Sequence, residues 1–375
     1  MPPTPPRVPR PTPPPVTGGP ADDVLTAGAA SGRGPLVEEL GDGTAVVTFW
    51  WRDAEAAEVL LFVNRIVDPD RLDASLMERV PGTDLWRRSY RLATTWRAAY
   101  AFVPRRPGEP APWLDAEGRV RVRAALPSAR RDPGEADWVR QRDGAVQSVI
   151  ALPDAPPQPW RHERPGVPRG SVGEEVAPGG RRVWVYEPPA GPVERTLVVF
   201  DGESWRDVLP TSLDNLLADG LVPPTRALLV EAGERRTEDV AGRVVDAWAA
   251  DELLPWARQR WGDPGRVVVA GQSLGGVAAL RTALRRPGLV DAVVASSASL
   301  WLTEDEPWDV PAVRGLTVRL QVGRHEWVLT APHRALADRL AALGADVDLA
   351  EYDGGHDMSW WRGSLPDALA TLTSP

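Results

Sequence analysis

At 375 residues the chain is long enough for two domains that each bury a core, and its 43% apolar and 25% charged content is that of an ordinary globular protein. A net charge of −9 argues against a nucleic-acid partner, and no apolar run nears the roughly 18 residues that span a bilayer, so no membrane partner is expected. The lack of cysteine excludes disulfides, thiolate metal sites and cysteine nucleophiles, and it fits the reducing cytoplasm.

Met1 to Pro20 is rich in proline and lacks the apolar centre of a signal peptide, so it reads as a disordered tail, with a lead-in segment running to residue 39. From residue 40 the pattern changes. Thr44–Arg52, Glu58–Val63, Asp84–Leu92 and Trp96–Val103 read as short strands separated by Gly, Pro and Asp turn signals. No long helical period interrupts them. The expectation for residues 40–145 is an all-β, Ig-like sandwich, although 104–145 is Pro-, Gly- and Arg-rich and weakly periodic. Residues 146–180, with Pro156-Pro157-Gln158-Pro159-Trp160, look like the interdomain connection.

Beyond it, strands and helices alternate through residues 181–375. Arg182–Glu187, Thr196–Phe200, Arg226–Val230, Val267–Ala270, Ala292–Ala295, Leu316–Val322 and Val347–Tyr352 read as strands. Helices are expected at Thr211–Ala218, Arg243–Trp261 (disturbed at Pro255), after Ser273, at Pro332–Leu343 and at Ser364–Leu372. Repeated β-α units predict a mostly parallel sheet with helices on both faces and functional loops beyond the C-terminal strand ends; taken with the Gly-x-Ser-x-Gly motif at Gly271–Gly275, the expected class is the α/β-hydrolase fold.

One stretch organises this second half. Val267-Val268-Val269-Ala270 runs directly into Gly271-Gln272-Ser273-Leu274-Gly275, and Val277-Ala278-Ala279-Leu280 begins an apolar helix. Gly-x-Ser-x-Gly between a buried strand and a helix is the context of a nucleophile elbow, which lifts the Ser273 hydroxyl out of the sheet. A serine becomes a nucleophile only when a base takes its proton. Of four histidines, His162 falls in the connection, His333 on a helix and His325 in a turn. His356, in Gly354-Gly355-His356-Asp357 between the last strand and last helix, fits the Ser–acid–His chain order. Glu326, in the turn after Leu316–Val322, is the candidate acid that orients the imidazole; Asp357, Asp353 and a plain Ser–His dyad stay open. The oxyanion hole is expected from the Leu274 N–H and from Gly202 or Glu203, after the Thr196–Phe200 strand.

In combination these features have a family likeness. Val47-Thr48-Phe49-Trp50-Trp51-Arg52-Asp53, Gly82-Thr83-Asp84-Leu85-Trp86, Trp96–Phe102 and Ser148–Pro156 in the first half accompany Asp201-Gly202-Glu203-Ser204-Trp205, Glu252-Leu253-Leu254-Pro255, Ala270–Ser273, Gly354–Asp357 and Trp361-Arg362-Gly363 in the second. Through them the chain resembles the bacterial enterochelin esterases, esterase-D-like hydrolases that open the trilactone of ferric catecholate siderophores such as enterobactin. The resemblance spans roughly residues 40 to 370. It implies Ser273 as nucleophile and His356 as base, aligns Glu326 with a family glutamate, and implies a ferric siderophore substrate with neither cofactor nor enzyme-bound metal. Val230-Glu231-Ala232, Asp239-Val240, Arg243 and Leu300-Trp301-Leu302 depart from the family pattern, which leaves the identity of the siderophore open.

Such a ligand is aromatic and strongly anionic. Every basic residue other than histidine is arginine, and there are 17 Trp, so guanidinium and indole groups are the available complements. Trp205, Arg236, Trp301 and Arg362 are the expected ligand contacts. Two competing readings are an acetyl or feruloyl carbohydrate esterase with a sugar-binding sandwich, and a non-catalytic binding protein on a hydrolase scaffold. The lack of an export signal counts against the first, and the intact Ser273 and His356 against the second.

Overall fold

A computed structural model describes residues 6, 17–68, 71–111, 113, 125–142, 144–263, 265–286, 288–303 and 313–372. Most of the proline-rich stretch read as a disordered tail lies outside these residues. The described chain forms two compact units, one of residues 17–156 with 353–360, the other of 157–352 with 361–372.

The first unit is sheet-rich. One antiparallel sheet has the order β1-β2-β5-β4, from Leu36–Glu39, Thr44–Arg52, Leu85–Ala93 and Glu78–Arg79. The other runs β3-β6-β8-β7, from Glu58–Val63, Arg97–Arg105, Val146–Ala151 and Trp138–Arg140. A single apolar cluster takes Val47 and Phe49 from β2 and Trp86 and Tyr90 from β5, together with Val59, Leu61, Tyr100 and Phe102 from β3 and β6. The Phe49 and Tyr100 rings meet edge to face at 4.9 Å. Several segments differ from expectation, β1 among them, since Leu36–Glu39 falls in the stretch read as lead-in. Asp22–Ala30, read as lead-in, is a helix (α1) whose Leu25 and Ala29 pack with Trp50, Val80 and Leu85. Val146–Ala151, read as the start of the connection, is strand β8, because its buried side chains complete the sheet beside β6.

The second unit holds a mixed eight-stranded sheet. Its strands are β9 (Ser171–Val176), β10 (Arg182–Glu187), β11 (Arg195–Phe200), β12 (Thr225–Val230), β13 (Arg266–Gln272), β14 (Ala292–Ser296), β15 (Thr317–Gly323) and β16 (Asp346–Tyr352). The order is β16-β15-β14-β13-β11-β12-β10-β9; the strands from β16 to β12 pair in parallel, and β10 and β9 add an antiparallel edge. β9 thus falls inside the stretch read as connection. The near-continuous β-branched runs of β11 and β13 are buried along almost their whole length, as strands covered on both faces must be.

The helices of this unit are α2 (Leu209–Ala218), α3 (Arg236–Ala241), α4 (Val244–Trp248), α5 (Leu254–Trp261), α6 (Leu274–Arg285), α7 (Thr330–Ala342) and α8 (Met358–Ala370), the last of which begins in the other unit. The single helix expected over Arg243–Trp261 is divided. A π-turn at Ala249–Leu253 separates α4 from α5, placed where Pro255 cannot donate the regular backbone bond. Helix α8 starts six residues before the expected Ser364, since Gly363 and Pro366 masked its first turns in the sequence. The chain leaves β11 toward β12 on one side and returns to β13 on the other. The strand order therefore reverses between β11 and β13, the position where open parallel sheets place their sites.

Candidate active site

At that switch point β13 ends in Gln272 and α6 begins at Leu274, leaving Ser273 alone to turn the chain. It does so at φ 58° and ψ −123°, a conformation that costs a non-glycine residue about 1–3 kcal/mol and persists only where the surroundings impose it. The constraints are visible. The Ser273 N–H donates to the Ser296 carbonyl at 3.0 Å, and the Ser299 N–H donates to the Ser273 carbonyl at 2.9 Å. A Cβ on Gly271 would lie 2.3 Å from the Gly275 carbonyl oxygen, so strand and helix pass too closely for any side chain there. Between buried Gln272 and buried Leu274, Ser273 alone keeps partial exposure. Its Oγ lies 3.4 Å from Ser299 Oγ.

The loop after β11 is shaped by a second left-handed residue, Asp201, at φ 61° and ψ 46°. A 3₁₀ turn at Gly202–Ser204 follows, and a Cβ on Gly202 would sit 2.5 Å from the Leu229 carbonyl carbon, so the turn rests directly on β12. The Asp201 carboxylate is 3% exposed. Arg236, the first residue of α3, forks onto it, with Nε donating to Oδ1 at 2.6 Å and Nη2 to Oδ2 at 2.5 Å. Burial is the largest single influence and would lower the Arg236 pKa; the Asp201 charge and hydrogen bonds, with the nearby Glu203 charge, together outweigh it and hold the guanidinium above its ordinary value. Gln272 links this pair to the elbow: its Nε2 donates to Asp201 Oδ2 at 3.5 Å, and its Oε1 accepts the Trp205 indole N–H at 2.8 Å. The Glu203 carboxylate accepts the Ala232 N–H at 3.1 Å. Leu274 is the first residue of α6, so its N–H belongs to the helix N-terminal set that has no intrahelical acceptor.

Glu326 lies in the turn after β15, 1% exposed. One carboxylate oxygen, Oε2, accepts the Ser297 hydroxyl at 2.6 Å and the Gly323 N–H at 2.7 Å. Ser297 is buried, has φ 47°, and itself accepts the Trp361 indole N–H at 3.0 Å and lies 2.9 Å from the Tyr352 hydroxyl. Since the Ser297 proton goes to Glu326, the Tyr352 hydroxyl is the donor in that contact. The carboxylate is thus fixed through Oε2 by one hydroxyl and one backbone donor.

His356 occupies the short loop between β16 and α8, and its carbonyl accepts the Asn64 side-chain N–H at 3.0 Å. Of the other two carboxylates considered, Asp357 accepts the Ala99 N–H at 2.6 Å and the Ser359 N–H at 2.9 Å. Asp353 accepts the Thr95 hydroxyl at 2.5 Å.

The four expected ligand contacts have unlike settings. Trp205 is 1% exposed and sits behind the loop after β11. Arg236 is committed to Asp201. Arg362 is buried, and its Nε donates to Gln158 at 2.9 Å. Trp301 is half-buried against the core of the second unit. Sequence reasoning missed Asp201, Gln272 and Ser297 as supports; the only trace they leave is small or polar residues at the strand ends. Among the described residues no group of three or more His, Asp or Glu side chains is placed to hold a metal ion, and no helix is long and apolar enough to cross a membrane.

Comparison with known proteins gives a consistent result. Residues 46–161 match the family model for the enterochelin esterase N-terminal domain, and 178–372 match that for a putative esterase. The chain is 32% identical to the iron(III) enterobactin esterase of Escherichia coli O6:H1, covering 92% of this chain and 95% of the relative. It is 31% identical to the iron(III) salmochelin esterase of the same strain, over 87% of each. Among solved structures, the Shigella flexneri enterobactin esterase crystallised in the presence of enterobactin matches with a TM-score of 0.77 and 26% identity, over 92% of this chain and 97% of that one. The ferric enterobactin esterase of Salmonella typhimurium matches with 0.75 and 30%, over 90% and 96%.

Proposed function

The chain belongs to the enterochelin esterase family and is a carboxylic ester hydrolase, and from that premise we propose that it opens the trilactone backbone of a ferric catecholate siderophore, releasing iron in the cytoplasm. The observation that carries the reading is the conformation of Ser273, held at positive φ on the elbow between β13 and α6, in a chain that covers its enterobactin and salmochelin esterase relatives almost end to end.

In this reading Ser273 Oγ attacks a lactone carbonyl while His356 takes its proton. Glu326 orients the imidazole and stabilises its protonated form. The tetrahedral oxyanion is received by the Leu274 N–H and by Gly202 or Glu203. Its collapse breaks the C–O bond, His356 gives the proton to the departing seryl or threonyl hydroxyl, and the acyl group stays on Ser273. Water, deprotonated by His356, then releases the acid and restores the serine. Iron enters as cargo of the substrate and takes no part in these steps.

Trp301 is the side chain best suited to meet a catecholate, being half-buried and aromatic. Trp205 and Arg236 support the oxyanion loop from behind through Gln272 and Asp201, and Arg362 is held beside Gln158. We further take the N-terminal sheets as an Ig-like sandwich, since one apolar cluster draws on both, and the C-terminal unit as an α/β-hydrolase domain. The test is incubation with ferric and iron-free trilactone siderophores, with product masses followed for stepwise addition of water. Linear trimer, dimer and monomer are expected from the wild type and none from Ser273→Ala; an intact trilactone after exposure to the wild type would refute the substrate class.

A further inference from the structure

Residues 353–360, which carry His356, are grouped with the N-terminal sheets and not with the strand that precedes them. The reason lies at one end of the β3–β6 ladder. Regular pairing of these strands ends at Val63 opposite Tyr100. One residue further, the Asn64 N–H still takes the Ala99 carbonyl at 3.0 Å, and then Arg65, at φ 64°, turns the chain away. The Ala99 N–H therefore faces a place that β3 has left, and the Asp357 carboxylate fills it at 2.6 Å. The same carboxylate accepts the Ser359 N–H at 2.9 Å, which caps the start of α8. On the other side of the base, the Asn64 side chain, left at the point where the strand departs, donates to the His356 carbonyl at 3.0 Å. The Trp360 indole N–H donates to the Arg97 carbonyl at 2.8 Å, the Arg97 N–H donates to the Asp353 carbonyl at 3.3 Å, and the Arg97 guanidinium lies 4.8 Å over the Trp360 ring.

We propose that Asn64 and Asp357 are positioning residues for the catalytic histidine: the N-terminal domain supplies a vacated strand edge on which the His356 loop is seated, and so acts in the chemical step itself. This rests on the reading of His356 as the base. It assigns Asp357 a role other than the triad acid, and it gives the N-terminal domain a part in cleaving any ester, including one too small to touch it. Histidine must lie within hydrogen-bond reach of the proton it takes, and misplacement by about 1 Å costs on the order of a hundredfold in rate.

The experiment uses the full chain with p-nitrophenyl acetate and a ferric trilactone as parallel substrates. Asn64→Ala removes the donor, and Asn64→Asp, of nearly the same size, sets an acceptor against the His356 carbonyl. For Asn64→Asp, kcat should fall about 10- to 100-fold on both esters with KM within twofold, and labelling of Ser273 by a fluorophosphonate should slow in parallel; Asn64→Ala should fall in between. Asp357→Asn, which keeps one acceptor oxygen, should retain more activity than Asp357→Ala. Thermal melts establish that each variant is folded. A kcat within twofold of wild type for Asn64→Asp, a change confined to KM, or an Asp357→Asn as inactive as Asp357→Ala overturns the proposal. His356→Ala is measured alongside: full activity there refutes the base assignment, whereas inactivity there with an unaffected Asn64→Asp refutes only the positioning role.

Discussion

The proposed nucleophile and the proposed base are held by different means. Ser273 is fixed by backbone: two main-chain hydrogen bonds, a strand-to-helix turn, and a glycine where no Cβ fits. The His356 loop is fixed largely by side chains reaching to or from residues 258 to 292 positions away in the chain. A backbone-held element tolerates change in its neighbours and fails abruptly when its own geometry is altered. A side-chain-held loop should yield by degrees, one hydrogen bond at a time.

The largest effects test whether both loops serve one reaction. Ser273→Ala and His356→Ala should each lower kcat by on the order of 10⁶, non-additively in the double variant, as measured by single-turnover hydrolysis. A double variant much slower than either single one would mean that the two do not act as a unit. Next comes Glu326→Gln. If Glu326 sets the imidazole tautomer, kcat should drop by about 10⁴ with KM preserved, while Asp353→Asn stays within tenfold. Retention of activity by Glu326→Gln would leave a Ser–His dyad, with Ser297 and Gly323 merely satisfying a buried carboxylate.

A third variant probes the rigid side. Arg236→Ala strands the buried Asp201 carboxylate and should cost about 3 kcal/mol in urea unfolding, with Arg236→Ala/Asp201→Asn recovering part of the loss. The same single variant should lower kcat with little change in KM, since Asp201 sets the entry into the Gly202 turn. A rise in KM alone would instead return Arg236 to the role of a ligand contact.

The contrast also explains what was readable from the sequence. The elbow was legible because its determinants fall in one ten-residue run whose residue types admit few conformations. His356 was proposed from chain order and Glu326 from its slot after a strand. Asn64 was not, because nothing about an asparagine at a strand end says which chain segment returns to it. The helix Asp22–Ala30 was hidden by its small residues, Ala, Gly and Thr, which carry little helical period; it is held by Leu25 packing beside Trp50. For Trp205 and Arg236, composition suggests that Trp and Arg meet an anionic aromatic ligand, whereas the geometry adds what the sequence does not carry, that their N–H groups point to Gln272 and Asp201.

The smallest expected effect separates the two modes of support most cleanly. Trp360→Phe keeps a ring beneath the Arg97 guanidinium but deletes the indole N–H that reaches the Arg97 carbonyl. A single neutral hydrogen bond lost from a buried position should cost about 1 kcal/mol of stability. Because Asn64 and Asp357 still hold the loop, kcat should fall no more than severalfold. On the elbow side, Ser299→Ala removes a hydroxyl 3.4 Å from Ser273 Oγ while leaving every backbone constraint in place, and both stability and kcat should stay near wild type. Equal losses in the two variants, by calorimetry and by p-nitrophenyl acetate hydrolysis, would show that the elbow depends on side chains as much as the histidine loop does.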